Sequence, residues 1–515
     1  MSTTRTSSPV SGPRRAARTP LALAILLACE SAAAPINAAH AESLTTQAAF
    51  DRAWSDPRLQ DVDSLSVAEV ADIAIDFGMQ AFMPPSLAST RVVSNCNNSG
   101  PGSLRDVVAS SVSGDIVDLR SLPCSTITLS SGQINIGVQS LSITGPGPGA
   151  LTIQNGNGAK YTNRIFNHTG SGTLIVQGMT LTGGVISGNA SVPDARGGCV
   201  NSEGTVFLGN SFFVTDAQYG VRVTNCRAIS VQGSTRAGSA DGGGVSGAVV
   251  VLTNSIVSGC STSGPAGSGG GVFVRARFGM NKSELVGNNN GVRQSYNGGG
   301  GANAVAGFPN LIVDSTIAAN TSYIGGGLSI SKGTVIRNST ISGNNAYMGA
   351  GILSGGLFGG DVTISNSTIT QNVTNSFYGG GGIMIRPSMN RAIVQLYSTI
   401  VSANRRFDGP YNDIWGDAQY VGASNLVGPQ QLPAPAMPAG TLFGFANLAA
   451  LANNGGATRT HALLAGGLAI DAGNNATNAE RYDQRGLGYP RVRGVRADIG
   501  AFEFDPAHPS SASGK

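Results

Sequence analysis

Charge is scarce in this sequence. Asp, Glu, Lys and Arg make up 12% of its 515 residues and leave a formal net charge of only +4. Without a basic run beyond the N-terminus, no nucleic-acid partner is expected. Hydrophobic residues still reach 41%, so the composition is not that of a disordered chain. Histidine is rare, at four residues, and none of the six cysteines stands in a Cys-x-x-Cys pair. A zinc site is therefore not expected, and neither another metal nor a cofactor is read from the chain. Past the first forty residues no run reaches the roughly 18 apolar residues that a membrane helix needs. Glycine is the abundant residue, 74 in all, yet it follows no Gly-X-Y period, which excludes collagen. With so much Ser, Thr, Asn, Val and Ile beside it, it points to short strands separated by many turns.

The first forty residues read as a targeting segment. Arg14, Arg15 and Arg18 precede an apolar run from Leu21 to Ala28. Ala39-His40-Ala41 offers a signal-peptidase cut after Ala41, the favoured reading; Leu26-Leu27-Ala28-Cys29 offers a lipobox as the alternative. Membrane attachment is expected only if Cys29 is lipidated. Export permits disulfides, and Cys96 and Cys124 flank one compact segment and form the best candidate pair. Of Cys199, Cys226 and Cys260, at least one is left free or pairs between chains. Residues 42–90 read as a helical extension or linker: Ser66 and Glu69 form a capping box, Val67, Val70, Ile73, Ala74 and Phe77 follow helical spacing, and Pro84-Pro85 ends the run. After it, Ser103 is placed to cap a brief helix through Leu104, Val107 and Val108.

Repeats dominate from residue 178 to about 404. The clearest unit is Asn338-Ser339-Thr340-Ile341-Ser342-Gly343-Asn344; it returns as Asn366–Asn372 and more loosely as Asp314–Asn320, Lys282–Asn288, Asn254–Cys260 and Asn210–Asp216. The last position gives the series Cys260, Asn288, Asn320, Asn344, Asn372, Asn404, at intervals of 28, 32, 24, 28 and 32. Three positions earlier lies an apolar residue each time: Val257, Leu285, Ile317, Ile341, Ile369, Val401. Glycine clusters separate the units. A fixed unit with variable spacing predicts a coil of strands stacked about 4.8 Å apart, with insertions looped out. The apolar residues face inward, and Asn288, Asn320, Asn344, Asn372 and Asn404 form an amide ladder. The period is shorter than the roughly 40–45 residues of a propeller blade, and no Trp repeats with it.

Several motifs resemble known families. Asn98-Ser99-Gly100-Pro101-Gly102-Ser103-Leu104-Arg105 and the run Cys124–Leu129 resemble the N-terminal part of bacterial right-handed β-helix surface proteins. Gly326-Gly327-Leu328, Gly381-Gly382-Ile383 and the Ile341-to-Asn344 element resemble polymorphic outer membrane protein repeats. Asn454-Gly455-Gly456, Ala469–Gly473, Asp483-Gln484-Arg485-Gly486 and Asp498–Glu503 resemble a choice-of-anchor Q domain. The resemblance spans about residues 92–504 and implies an all-β, right-handed single-stranded parallel β-helix, secreted or at the cell surface. The expected layout is a signal peptide to 41, the extension to 90, the β-helix with an N-terminal cap over 91–428, the C-terminal segment 429–504 and a disordered tail over 505–515. That tail holds no sorting motif, so anchoring is expected only through Cys29. Asp471, Asp483, Asp498 and Glu503 are set to pair with Arg485, Arg491 and Arg493 as a cap over the last open turn.

Pectate lyases and polygalacturonases use β-helices, but fold alone assigns no chemistry. The Asn-Thr-Asp, Asp-Asp and Gly-His-Gly motifs of polygalacturonases are missing. Between residues 196 and 400 the acidic residues are Glu203, Asp216, Asp241, Glu284, Asp314 and Asp361. Their offsets within the repeats differ, so most are not expected to share a patch, although Glu284 and Asp314 fall near corresponding positions of adjacent units. His168 reads as a turn residue and His461 as a structural hydrogen-bonding one. No catalytic residue is therefore assigned. The aromatics between units, Tyr323, Tyr347, Phe377, Tyr378, Phe407, Tyr411, Trp415 and Tyr420, suit stacking on sugar rings. Tyr411, Trp415 and Tyr420 are the expected ligand-binding residues. The expected partner is a polysaccharide or cell-surface glycan, bound and not cleaved; the alternative is a polysaccharide lyase or glycoside hydrolase.

Overall fold

The computed structural model describes residues 89–507 except 157–162, 210–216, 235, 292–297, 305–309, 331–332, 356–360, 378, 387–391, 430–434 and 476–479. The expected targeting segment with Cys29, the expected helical extension over 42–90 up to residue 88, the unit Asn210–Asp216, Tyr378, His508 and most of the tail lie outside the described residues. The chain winds into an all-β parallel β-helix of about 11 turns. One 20-stranded sheet takes two strands from most turns, a second sheet has 12 strands and a third has 8.

The repeated heptad accounts for one strand and the bend at each end of it. Asn338 occupies the left-handed region at φ 52° and turns the chain into the second sheet, a conformation Asn tolerates better than most side chains. Thr340–Ser342 is the strand, and Gly343, at φ 64°, turns the chain out again. Gln371 and Ala403 take the corresponding corner at φ 57° and 63°; at Gly343 an added Cβ would meet only open space, so the cost of a side chain there is backbone strain and not a clash. The glycine clusters differ. A Cβ on Gly300 would lie 2.3 Å from the carbonyl oxygen of Gly326 in the next turn, so close backbone approach favours glycine at this bend, although Ala350 takes the corresponding position two turns on.

Period-two alternation sends Ile341 inward between Thr340 and Ser342. The register aligns Ile127, Ile153, Leu181, Val223, Val257, Leu285, Ile317, Ile341, Ile369, Val401 and Val427 in one column, and all are buried. At the outgoing corner each asparagine is bonded to the next. Asn288 Nδ2 donates to Asn320 Oδ1 at 3.0 Å, Asn320 to Asn344 at 3.0 Å, Asn344 to Asn372 at 2.9 Å and Asn372 to Asn404 at 2.8 Å. Each Nδ2 also donates to a carbonyl of the preceding turn, as Asn344 does to Ile317 at 3.0 Å. The ladder begins at the Cys260 N–H, which donates to Asn288 Oδ1, and ends on Asp413, whose Oδ1 accepts from both nitrogens of Asn404. A serine ladder lines the incoming corner: the N–H groups of Ser255, Ser283, Ser315 and Ser339 donate to the hydroxyls of Ser283, Ser315, Ser339 and Ser367.

The coil starts earlier than the first long β-rich runs: Thr90–Val92 already pairs with Ile116–Asp118. Between them runs the helix Leu104–Ala109, capped by Ser103, whose Leu104, Val107 and Val108 are buried at the end of the core. Arg105 fixes it through bonds to Asn98 O, Gln133 O and Gly132 O. Cys96–Cys124 is a disulfide, as is Cys199–Cys226, and Cys260 is free and buried.

The C-terminal segment does more than cover the last turn. It runs back along the outer face of the second sheet and clasps several turns. Arg459 grips Glu284, Gln484 binds Thr316 and Thr340, Ala501 N donates to Thr368 Oγ1, and Gly500 N donates to Ser398 O. Ile400 and Leu426, outward on the same sheet, form a second core with Leu463, Ile499 and Phe502. Within the clasp, Arg485 bonds Asp483 through two nitrogens, Arg491 faces Glu503 at 3.9 Å and Arg493 meets Asp505 at 2.7 Å.

Candidate functional site

Open aromatic surface lies on the third sheet. Its strands Thr321–Ile324 and Asn345–Met348 pair in parallel, which sends Ser322 and Ala346 inward and Tyr323 and Tyr347 out. The two tyrosine rings stack with centroids 5.0 Å apart and planes 1° apart. One and two turns past Tyr347, Phe377 and Phe407 meet edge to face at 5.4 Å, with the Arg406 guanidinium 4.8 Å above the Phe377 ring. Asp408 holds Arg406 in place, accepting from its Nε at 3.0 Å. Farther along, Tyr411 meets Phe445 at 4.9 Å. Tyr323, Tyr347, Phe377, Phe407, Tyr411 and Phe445 are between 38% and 59% exposed. Turns stack at about 4.8 Å, so the row follows the coil axis and offers consecutive ring faces and edges to a chain laid along it.

The three residues expected to bind ligand separate. Tyr411 is part of the row. Trp415 follows Met384 in the first sheet and packs against Ile324, Leu353 and Met384 as a half-buried plug beside the row. Tyr420 is a correction: it pairs with Val394 in the inward column of the first sheet and is only 6% exposed. Its position in the alternation turns it into the core, and burial pushes its hydroxyl above the usual range; it cannot stack on a ligand. Phe445 and Arg406 were not anticipated.

The other candidate groups are absorbed by packing. His168 lies in the strand Phe166–His168 and not in a turn, because its register with Ser202 points it inward. Its Nε2 faces the carbonyls of Val138 and Gln139, so it carries the proton, and Nδ1 accepts from Ser202 Oγ at 2.7 Å. His461 Nδ1 donates to Ala449 O, and Nε2 accepts from Ser342 Oγ, both at 2.7 Å. Burial lowers both imidazoles and keeps them neutral. Glu284 and Asp314 both seat the clasp: Glu284 takes Arg459, and the Asp314 carbonyl accepts from Thr458 Oγ1. Among the described residues no three His, Cys, Asp or Glu side chains gather as metal donors. One pairing was missed: Glu203 and Asp241, expected apart, both lie within electrostatic reach of Arg275.

No family model matches the chain, and no curated protein matches it; the motif resemblances stand on their residues alone. Among solved structures, one titled "Crystal structure of pectate lyase Pel9A" is similar over 81% of this chain and 97% of that one, at 13% identity and a TM-score of 0.39. No helix among the described residues is long and apolar enough to cross a membrane.

Proposed function

We propose that this protein is exported and binds an extended polysaccharide, laid along the third sheet, without cleaving it. The observation that carries the reading is the line of exposed rings along the third sheet from Tyr323 to Phe407, with the Tyr411–Phe445 pair past its last strand. Aromatic rings present apolar area at low cost in side-chain entropy, and a stacked coil repeats them in register with a chain-like ligand. Asn345 and Asn375, bonded to each other at 2.7 Å beside the tyrosines, supply amide groups for hydroxyl recognition. Among the described residues of this row the carboxylate beside the rings is Asp408, and Arg406 engages it, which does not suit the paired carboxylates of glycosidases. The two disulfides suit an oxidising compartment. A glycan array on the purified protein, with release of oligosaccharide followed in parallel, tests the reading. It expects binding without product; sustained release of oligosaccharide would replace it with the lyase or hydrolase alternative, and absence of any glycan binding would end it.

A further inference from the structure

A different face, several turns closer to the N-terminus, holds a cluster of arginines that packing does not fully satisfy. Arg164 precedes the strand Phe166–His168; Arg196 ends the strand Ala195–Arg196, next to Asp241; Arg275 lies in Val272–Asn281. Hydrogen bonds tie them into one site. Arg164 Nε donates to Arg196 O at 2.8 Å, and its Nη1 donates to Gln133 Oε1 at 3.0 Å and reaches Asn167 Oδ1 at 3.4 Å, so the orphaned N–H groups are those of Arg196 and Arg275. Asn167 Oδ1 also accepts from Asn201 Nδ2 at 3.1 Å. Arg275 Nη2 donates to Ser202 O at 2.8 Å and Glu203 O at 3.0 Å, one residue beyond Asn201. Arg196 and Arg275 repel each other, and Arg164 and Arg275 both feel Glu203.

The site is short of acceptors. Arg196 Nε and Arg275 Nη1 are buried without a hydrogen-bond partner, as is Asn201 Oδ1. Asp241 stands 3.8 Å from Arg196 Nε, an ion pair but too long for a hydrogen bond, and Glu203 is 3.3 Å from Arg275 with half its side chain in water. Asp194, within electrostatic reach of Arg196 and Asp241, is bonded to Arg236, so the wider cluster holds four guanidiniums against three carboxylates. Burial pulls Arg164 down to about 10 and lowers Arg275, while it raises Asp241. Desolvated cations with vacant N–H groups are costly alone, and an oxyanion with several coplanar acceptors would satisfy them with charge-assisted bonds.

We propose that Arg164, Arg196 and Arg275 form a binding site for an anionic sugar unit, a carboxylate or sulfate group, with Asn201 Oδ1 accepting from a neighbouring hydroxyl. The proposal sharpens the glycan reading by naming an acidic ligand, and rests on that reading only for the ligand being a sugar. The test compares binding of an oligogalacturonate, its carboxyl-reduced neutral counterpart and a sulfated oligosaccharide of the same length to the full chain, at low and high salt. Wild type should bind the uronate chain at least tenfold more tightly than the reduced one, with the advantage shrinking in salt. Arg196→Ala is the safer variant, since that side chain is 40% exposed; Arg196→Ala/Arg275→Gln extends it. Both should lose the uronate advantage while binding the neutral chain unchanged and keeping the wild-type thermal midpoint. A comparable loss for the sulfated chain assigns the site to oxyanions in general. Equal binding of the uronate and reduced chains, or a uronate preference that survives the double variant, overturns the proposal and leaves the aromatic row standing. Absence of binding by all three chains ends both.

Discussion

The outer faces of the second and third sheets are built from the same turns, seven residues apart, yet they meet different surroundings. Thr316, Thr340 and Ile400 face out from the second sheet and are fully buried; Tyr323, Tyr347 and Phe407 face out from the third and are 38%, 42% and 52% exposed. The first face is covered by the chain's own clasp, and its side chains are small and mostly hydroxylic: Thr316, Thr340 and Thr368 each hydrogen-bond to it. The second face carries rings, with no described segment over most of them. A face that the fold partners internally needs matched polar groups; a face left open gains little from rings beyond their contacts with one another unless something else covers them. That contrast is the physical basis for placing the ligand on the third sheet.

The largest effect should come from the interior that both faces share. Ile341→Ala or Ile369→Ala removes a buried link in the inward column and should cost roughly 2–5 kcal/mol in chemical denaturation. Near-neutral results at both would show the column to be less closely packed than its register implies. Next comes the covered face alone. Gln484 accepts from Thr340 Oγ1 at 2.6 Å and donates to Thr316 and Thr458, each at 2.9 Å. Gln484→Ala leaves these hydroxyls without that partner and should cost about 1–3 kcal/mol, with faster proteolysis in 441–504. Equal cost at Tyr347→Ala would erase the distinction between the faces, since an exposed ring pair should lose no more than about 1 kcal/mol.

A smaller effect separates the ladders from both faces. Asp413 ends the asparagine ladder with Oδ2 buried and without a hydrogen-bond partner, and burial raises its carboxyl to about 7. Its folded value thus lies above its unfolded one. The folded state holds the proton more tightly, so this group's contribution is most favourable in acid and declines as pH rises from about 4 through about 7. Asp413→Asn should therefore raise stability by about 1 kcal/mol or more at pH 8 and change it little at pH 4, measured as denaturation midpoints at the two values. An equal shift at both would exclude ionisation as the cause.

How far the sequence carried the reading follows from periodicity. The heptad repeats because each copy must supply a corner, a strand and a second corner, so the inward column and the asparagine series could be named from spacing. The serine ladder is equally regular in the sequence, one position after each unit's first residue. The aromatic row had a partial signal: Tyr323, Tyr347 and Phe407 each lie three residues past a ladder asparagine, the offset that turns a side chain outward on the third sheet. Trp415 and Tyr420 lack that offset and fall on the return to the first sheet, where alternation turns Tyr420 inward. The clasp and the arginine cluster have no period to read. Several of the clasp's partners sit well over a hundred residues back along the chain, as Thr340 does from Gln484, and Arg164, Arg196 and Arg275 come together only through turns whose insertions break the spacing.

The account turns on whether the open rings hold a ligand. The direct measurement is the affinity of full-length Tyr323→Ala/Tyr347→Ala for a glycan that the wild type binds, read by titration calorimetry alongside its thermal midpoint. The account predicts at least a tenfold loss of affinity, about 1.4 kcal/mol, with the midpoint held within a few degrees and no oligosaccharide released by either protein. Unchanged affinity with an intact fold would contradict it.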